Sequence, residues 1–510
     1  MEQGTAWKRY DADDIEALEG LAAGYIGFIS DNKTERECAA AAVALAEGSG
    51  YRPLDEAVRK GRALKPGEKV YALARGKALI LAHIGTEPLE QGFNILGAHI
   101  DSPRLDLKQN PLYESNGFAH LDTHYYGGIK AYQWVTLPLA LHGVIAKKDG
   151  SVVDVQVGDD PADPVFCVTD LLIHLAGKQM GKKASEVVEG EDLDVLVGNR
   201  PLTFGGGGFD DAQSLEQSSL RGGTRLVGTD ESSGEPAANA AATEDVQAPA
   251  GKEEEKDPVK AYALKLLAEK YDIAEDDFLS AEIEVVPAGR ARELGFDRSM
   301  VIGYGQDDRV CAYTSLMAQL ALGKKAPRKT ALTVLVDKEE IGSVGATGMA
   351  SQFFENTVAE IMELAGEGGS LPLRRALAAS SMLSSDVSAG FDPAYASVFE
   401  AKNSAYLGRG LVFNKYTGSR GKSGSNDASA EYMARIRRIM DEAGVTFQTA
   451  ELGRVDAGGG GTIAYIPAKY GMDVIDSGVA VLSMHSPWEV SSKADIYEAY
   501  KGYEAFLKNA

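Results

Sequence analysis

Four short apolar runs do most to limit what this chain can fold into: FNILGAHI (93–100), TALTVLVD (330–337), ALAASSMLSSD (376–386) and VAVLSMH (479–485). Each is bounded by glycine or polar residues and lacks the strict alternation of a half-wetted strand, so each reads as a strand buried on both faces, as in a parallel sheet. Such strands need covering layers, and helical patterns lie between them. CAYTSLMAQLALG (311–323) is one, and ASAEYMARIRRIMDEAG (428–444), ending in a Gly stop, is another. Residues 12–29 carry Ile15, Leu18, Leu21 and Ile26 at helical spacing, and Thr34 with Glu37 fits a capping box opening a second helix through an alanine run. The alternation predicts an α/β protein.

The chain has 510 residues, enough for about three domain-sized units. The stretch from about 203 to 258 breaks the α/β pattern, being poor in aromatic and branched apolar residues, and reads as a disordered or extended surface loop. Residues 205–258 hold 12 acidic and 4 basic side chains, so 8 of the 23 excess negative charges sit there. The net charge of −23 argues against nucleic acid and anionic membrane surfaces as partners. Cys38, Cys167 and Cys311 are scattered and odd in number, as expected in a reducing compartment. With neither a signal-like start nor a long apolar span, the expected location is the cytoplasm.

Chemistry-bearing residues collect just beyond the apolar runs. His99 ends FNILGAH with Asp101 two residues later, and His485, the sole histidine after His174, ends VAVLSMH. Asp307-Asp308 follow VIGYGQ, Glu339-Glu340 follow LTVLVDK, and Asp386 follows SSMLSS. Any one carboxylate could be a helix cap or turn residue. Five such positions sharing one context point to a site, because ligands of open α/β sheets gather beyond the carboxyl ends of strands. Two His, one Glu and two Asp suit a pair of borderline divalent cations, with one aspartate bridging. Cations about 3.5 to 4 Å apart can clamp a hydrolytic transition state. Asp101 can accept the second imidazole N–H of His99 and orient the ring. Glu339, beside Glu340, can stay unligated and take a proton from the attacking water.

Several motifs then occur in order: GAHIDSPRL (97–105), YGGIKAYQW (126–134), GQDDRV (305–310), VDKEEIGSVGATG (336–348), SSDVSAGFDPAY (384–395), GGTI (460–463) and LSMHS (482–486). In these the chain resembles the aspartyl aminopeptidase and vacuolar aminopeptidase I family of dinuclear zinc exopeptidases. The resemblance implies that His99, Asp307 and Asp386 hold one Zn2+ and that Asp307, Glu340 and His485 hold the other, with Co2+ or Mn2+ as alternatives. It makes Asp307 the bridge, Glu339 the general base and Asp101 the orienting residue. It also implies a zinc-exopeptidase-like catalytic domain over 1–112 and 286–510, with a mixed, mostly parallel sheet. A smaller β-rich oligomerisation domain, 113–285, would interrupt it and contain the acidic loop. Family members of this kind form homo-oligomers, tetrahedral dodecamers with sites facing a chamber, which limits substrates to short peptides with a free amino terminus.

The chain departs from the aspartyl-specific pattern. Where those members carry histidines it has Ala389, Asp392 and Asp170. An acidic residue near the pocket repels an acidic substrate side chain unless a cation compensates, and Lys415 or Arg420 in FNKYTGSRGKSGSN could be that cation. Gly460 and Gly461, in AGGGGTIAY, lack a dinucleotide-binding context and are candidates for backbone contact with substrate. The expected activity is thus a zinc aminopeptidase not strictly specific for Asp or Glu. The alternatives are a dinuclear carboxypeptidase or amidohydrolase, and a catalytically vestigial cage protein.

Overall fold

Phe93–His99 forms a strand with every residue buried, at the middle of a nine-stranded sheet. The computed structural model describes residues 4–202 and 256–510. Parallel partners flank the central strand: Thr330–Val336, also wholly buried, on one side and Ser381–Ser385 on the other, with Asp473–Gly478 beyond. Antiparallel pairs adjoin this centre, so the sheet is mixed with a parallel core. The protein is α/β with a second, β-rich sheet.

Helices cover both faces because the central strands have no polar side to offer water. On one face lie Ala12–Asp31, Glu35–Gly48, Gln306–Ala321, Ala430–Glu442 and Lys493–Asn509, packed through residues such as Tyr25, Leu316, Ile436 and Phe506. On the other, Phe353–Leu364 and Ser370–Ala378 contribute Phe354, Ile361 and Leu377. The second helix opens with the expected capping box: Thr34 Oγ accepts from the Glu37 N–H at 3.2 Å, and the Glu37 carboxylate accepts from the Thr34 N–H at 2.9 Å.

The second sheet has seven strands, all antiparallel, drawn from residues 104–287 and packed around Trp134, Leu139 and Val285. A third, five-stranded sheet includes Met300–Gly303, Ala480–Leu482 and Glu489–Ser492. Most of the expected acidic loop lies outside the described residues, and its last residue, Pro258, opens the helix Pro258–Tyr271.

Two strand expectations need correction. Residues 376–378 of ALAASSMLSSD end a helix, and the strand begins only at Ser381. An alanine-rich apolar run serves either element, and here Ala376 and Leu377 pack as one helix face. In VAVLSMH only Ala480–Leu482 is a strand, and it belongs to the small sheet. The strand entering the main sheet is the preceding Asp473–Gly478, whose polar residues hid it.

Candidate active site

Three of the predicted positions lie just beyond parallel neighbours of the main sheet: His99 at the end of its strand, Glu339 and Glu340 after Thr330–Val336, and Asp386 after Ser381–Ser385. The other two arrive differently. Asp307 and Asp308 stand in the first turn of the helix Gln306–Ala321, where their own dihedrals are non-helical and the peptide bond between them is cis. His485 sits in the turn between two strands of the small sheet, Ala480–Leu482 and Glu489–Ser492, with φ of 64°.

These separate routes converge. Asp307 lies between the imidazoles, its Oδ1 3.2 Å from His99 Nε2 and its Oδ2 3.3 Å from His485 Nε2. Asp386 Oδ1 is 3.8 Å from His99 Nε2, and Glu340 Oε2 is 3.6 Å from His485 Nε2. Donor atoms of His99, Asp307 and Glu340 fall within 4.8 Å of one another, as do those of His99, Asp308 and Asp386. Asp308 is therefore a further carboxylate of the site. It also accepts the backbone N–H of His99 at 3.3 Å.

Asp101 is wholly buried under the cluster. It accepts the N–H groups of Glu339 and Glu340, each at 3.2 Å, and lies 3.3 Å from His99 Nδ1. Burial works against its charge, but the contact with His99 and the bond from the Tyr126 hydroxyl outweigh that and hold its pKa below the ordinary value. Glu489 ties two routes together by accepting the backbone N–H of Asp307 at 3.0 Å and of His485 at 2.7 Å. No feature of its SPWE context marked it in advance.

The electrostatics are those of a cluster short of positive charge. Burial comes first in raising Asp386, Glu340 and Glu339, and the charge of Asp307 adds to it in each. Glu339 is pushed up to about 8. Glu340 Oε1 and Asp308 Oδ1 are buried without a hydrogen-bond partner. Imidazole nitrogens and under-neutralised carboxylate oxygens at these separations are a donor set that fits zinc.

A cavity of about 540 Å3 opens over the cluster, lined by Asp307, Glu339, Glu340, Asp386 and His485 on one side. Gly460 and Gly461 border it with Val387, Leu452, Tyr465 and Met484. A Cβ at Gly461 would meet nothing within 4 Å and one at Gly460 only Leu452 at 3.5 Å, so packing does not require glycine at either. Asp476 also lines the cavity. Thr462 donates to it at 2.5 Å, and burial raises its pKa to about 7.

Lys415 and Asp170 are not brought to this cavity. Lys415 is exposed and paired with Asp427 at 2.7 Å. Asp170 is exposed just after the strand Cys167–Val168, accepting from the Leu171 N–H at 2.8 Å and Gln179 Nε2 at 2.9 Å. Asp392 caps the turn Pro393–Val398. The Arg420 side chain lies outside the described residues.

The sequence matches the family described as aminopeptidase I zinc metalloprotease (M18) over residues 28–203 and 229–507. The chain belongs to the M18 aminopeptidases. It is 58% identical over 508 residues to a probable M18 family aminopeptidase 1 of Clostridium acetobutylicum, covering 100% of this chain and 98% of that one. An M18 aminopeptidase structure from Thermotoga maritima superposes with a TM-score of 0.85 at 40% identity, covering 100% of both chains. The mApe1 dodecamer of S. cerevesiae, at 18% identity, TM-score 0.71 and coverage of 96% and 97%, shares the fold. As a family member this M18 chain is a zinc metalloprotease and a hydrolase.

Proposed function

We propose that this M18 aminopeptidase works with two metals, and the observation that carries the reading is Asp307, with one carboxylate oxygen toward each imidazole. His99, Asp307 and Asp386 would hold one zinc and Asp307, Glu340 and His485 the other, with Co2+ or Mn2+ as alternative occupants. Bound there, the cations would polarise the scissile carbonyl and acidify water. Glu339, on the cavity wall, takes the proton of the attacking water and returns it to the leaving amine. Asp101 orients His99 and holds the Glu339-Glu340 backbone.

The acidic cluster favours a protonated amino terminus, so the substrates are short peptides with a free amino group. Val387, Leu452, Tyr465 and Met484 offer apolar contact, and among the described residues no Lys or Arg lines the cavity. Neutral or apolar amino-terminal residues are therefore cleaved in preference to Asp or Glu. The segment 113–285 acts as the oligomerisation domain of a homo-oligomer. Leu171, Leu172, Ile173, Leu175 and Met180, 47–69% exposed on one segment of it, and the dodecameric assembly of the S. cerevesiae protein support that reading. The three free cysteines favour the cytoplasm.

A panel of amino-acid amides and short peptides, free and amino-terminally blocked, tests activity and preference together. Leu or Ala amides should exceed Asp and Glu amides, and blocking should abolish cleavage. Cleavage of blocked peptides would favour a carboxypeptidase or amidohydrolase, and dominance of Asp or Glu amides would overturn the preference.

A further inference from the structure

We propose that Tyr126–Gly128, at the end of the strand Phe118–Tyr126 of the seven-stranded sheet, is a positioning clamp for the metal-ligand cluster. The second sheet is then part of how the site is built. The idea rests on the two-metal reading above and adds residues that reading does not use.

Three consecutive residues reach three members of the site. The Tyr126 hydroxyl donates to Asp101 Oδ2 at 2.8 Å, the same oxygen that accepts the Glu340 N–H. Asp101 thereby links Tyr126 to both His99 and the Glu339-Glu340 backbone. The Gly128 carbonyl lies 2.8 Å from His485 Nδ1. A carbonyl can only accept, so Nδ1 carries the hydrogen, and in the neutral ring Nε2 is the nitrogen free to serve as a ligand beside Asp307 and Glu340. Between them Gly127 takes φ of 73°, and a Cβ there would meet Glu340 Cβ and Oε2, each at 3.2 Å. The backbone therefore lies directly against a proposed ligand, where any side chain would displace it.

The clamp is itself braced. The Arg104 guanidinium sits 3.9 Å over the Tyr126 ring while pairing with Asp106 at 2.8 Å and Glu284 at 3.2 Å. The phenol is thus held by the sheet, and the hydroxyl arrives at Asp101 with little freedom left. Partners of this kind orient metal ligands, and losing one typically weakens metal affinity by about 10- to 100-fold.

The test compares wild type, Tyr126→Phe and a control, Tyr113→Phe. Tyr113 donates to Asp194 at 2.5 Å within the same sheet, so its variant loses an equivalent tyrosine–aspartate bond remote from the cavity. Zinc affinity is read by competition with a chromophoric chelator, ligand geometry by the absorption spectrum of the cobalt-loaded enzyme, and kcat and KM at saturating zinc. Tyr126→Phe should weaken zinc by about 10- to 100-fold, alter the cobalt spectrum and lower kcat with KM within about twofold. Tyr113→Phe should lower the melting temperature and leave zinc affinity and spectrum unchanged. Wild-type affinity and spectrum in Tyr126→Phe, or equal changes in the control, overturn the clamp. If Tyr126→Phe fails to fold, Gly127→Ala must show the loss of zinc affinity, and wild-type affinity in it overturns the clamp equally. A wild-type enzyme that binds no zinc refutes the two-metal reading instead.

Discussion

Two of the buried ionic clusters among the described residues differ in how their charge is balanced. At the junction of the helix Glu35–Gly48 with the seven-stranded sheet, Lys33 Nζ meets Asp159 at 2.5 Å and the carbonyls of Pro287 and Gly289 at 2.7 and 3.0 Å. His142 lies between Glu37 at 2.8 Å and Asp159 at 3.0 Å. Every acid there faces a cation or imidazole of the chain, and Asp159 is held down at about 2 although burial opposes it. At the cavity Asp307, Asp308, Glu339, Glu340 and Asp386 share two imidazoles, and burial together with mutual repulsion raises all of them except Asp307. A balanced cluster ties a helix to a sheet, whereas an unbalanced one needs cations from outside.

Removing those cations should give the largest effect. Chelation should abolish hydrolysis and zinc should restore it, while the unfolding midpoint drops because metal at a thousand times its Kd stabilises the native state by about 4 kcal/mol. Activity surviving full chelation would place this cluster with the balanced kind. Glu339→Gln removes the base and none of the proposed ligands, so turnover should fall by about 10² to 10⁴ with metal content unchanged. Full activity with metals bound would sink the assignment of Glu339.

Much of the unbalanced cluster could be read along the chain, and the reason is local. His99, Glu339-Glu340 and Asp386 follow runs whose apolar character is set by burial on both faces, so pattern and position coincide. The Thr34 and Glu37 cap was visible because its partners are three residues apart. What stayed hidden depends on distant partners. Asp473–Gly478 looks polar until Thr462 is placed against Asp476. Tyr126 and Glu489 are ordinary residues until the fold sets them against Asp101 and against the backbone of Asp307 and His485. The balanced cluster was not anticipated at all, since Lys33, His142 and Asp159 belong to no motif.

Breaking the balanced cluster should cost stability and leave metal binding alone. Lys33 is 1% exposed, and Lys33→Met takes the lysine cation from Asp159 and leaves it His142, a loss of stability of at most about 3 to 5 kcal/mol read by denaturant unfolding. Loss of zinc affinity in this variant would deny the separation of the two clusters. A smaller effect follows from protonation. Burial lowers the His142 pKa, but Asp159 and Glu37 override it and raise the net value above 6.5. Its contribution is therefore complete below about pH 6.5 and fades as pH rises through the raised value. Glu37 and Asp159 are depressed in the folded protein, so their share is present above about 4.5 and is lost in acid. The cluster should be strongest between these limits. The melting-temperature deficit of His142→Asn should be larger at pH 6 than at pH 9, and a deficit independent of pH would show that His142 acts only by packing.

The smallest effect belongs to a third group, outside both clusters. Lys415 and Lys422 share Asp427 at 2.7 and 2.9 Å, all of them in contact with solvent. Solvent screens such pairs, and each is worth about 0 to 1 kcal/mol. If Lys415 served as the counter-charge for an acidic substrate it would have to leave Asp427 and enter the cavity, which it does not line. Lys415→Ala should therefore change the hydrolysis of a Leu amide by less than about twofold and leave the ratio of Leu to Asp amide cleavage as it was. A selective loss of Asp amide cleavage would show that the lysine reaches the substrate, and that the cavity's shortage of positive charge is met by the chain itself as well as by metal.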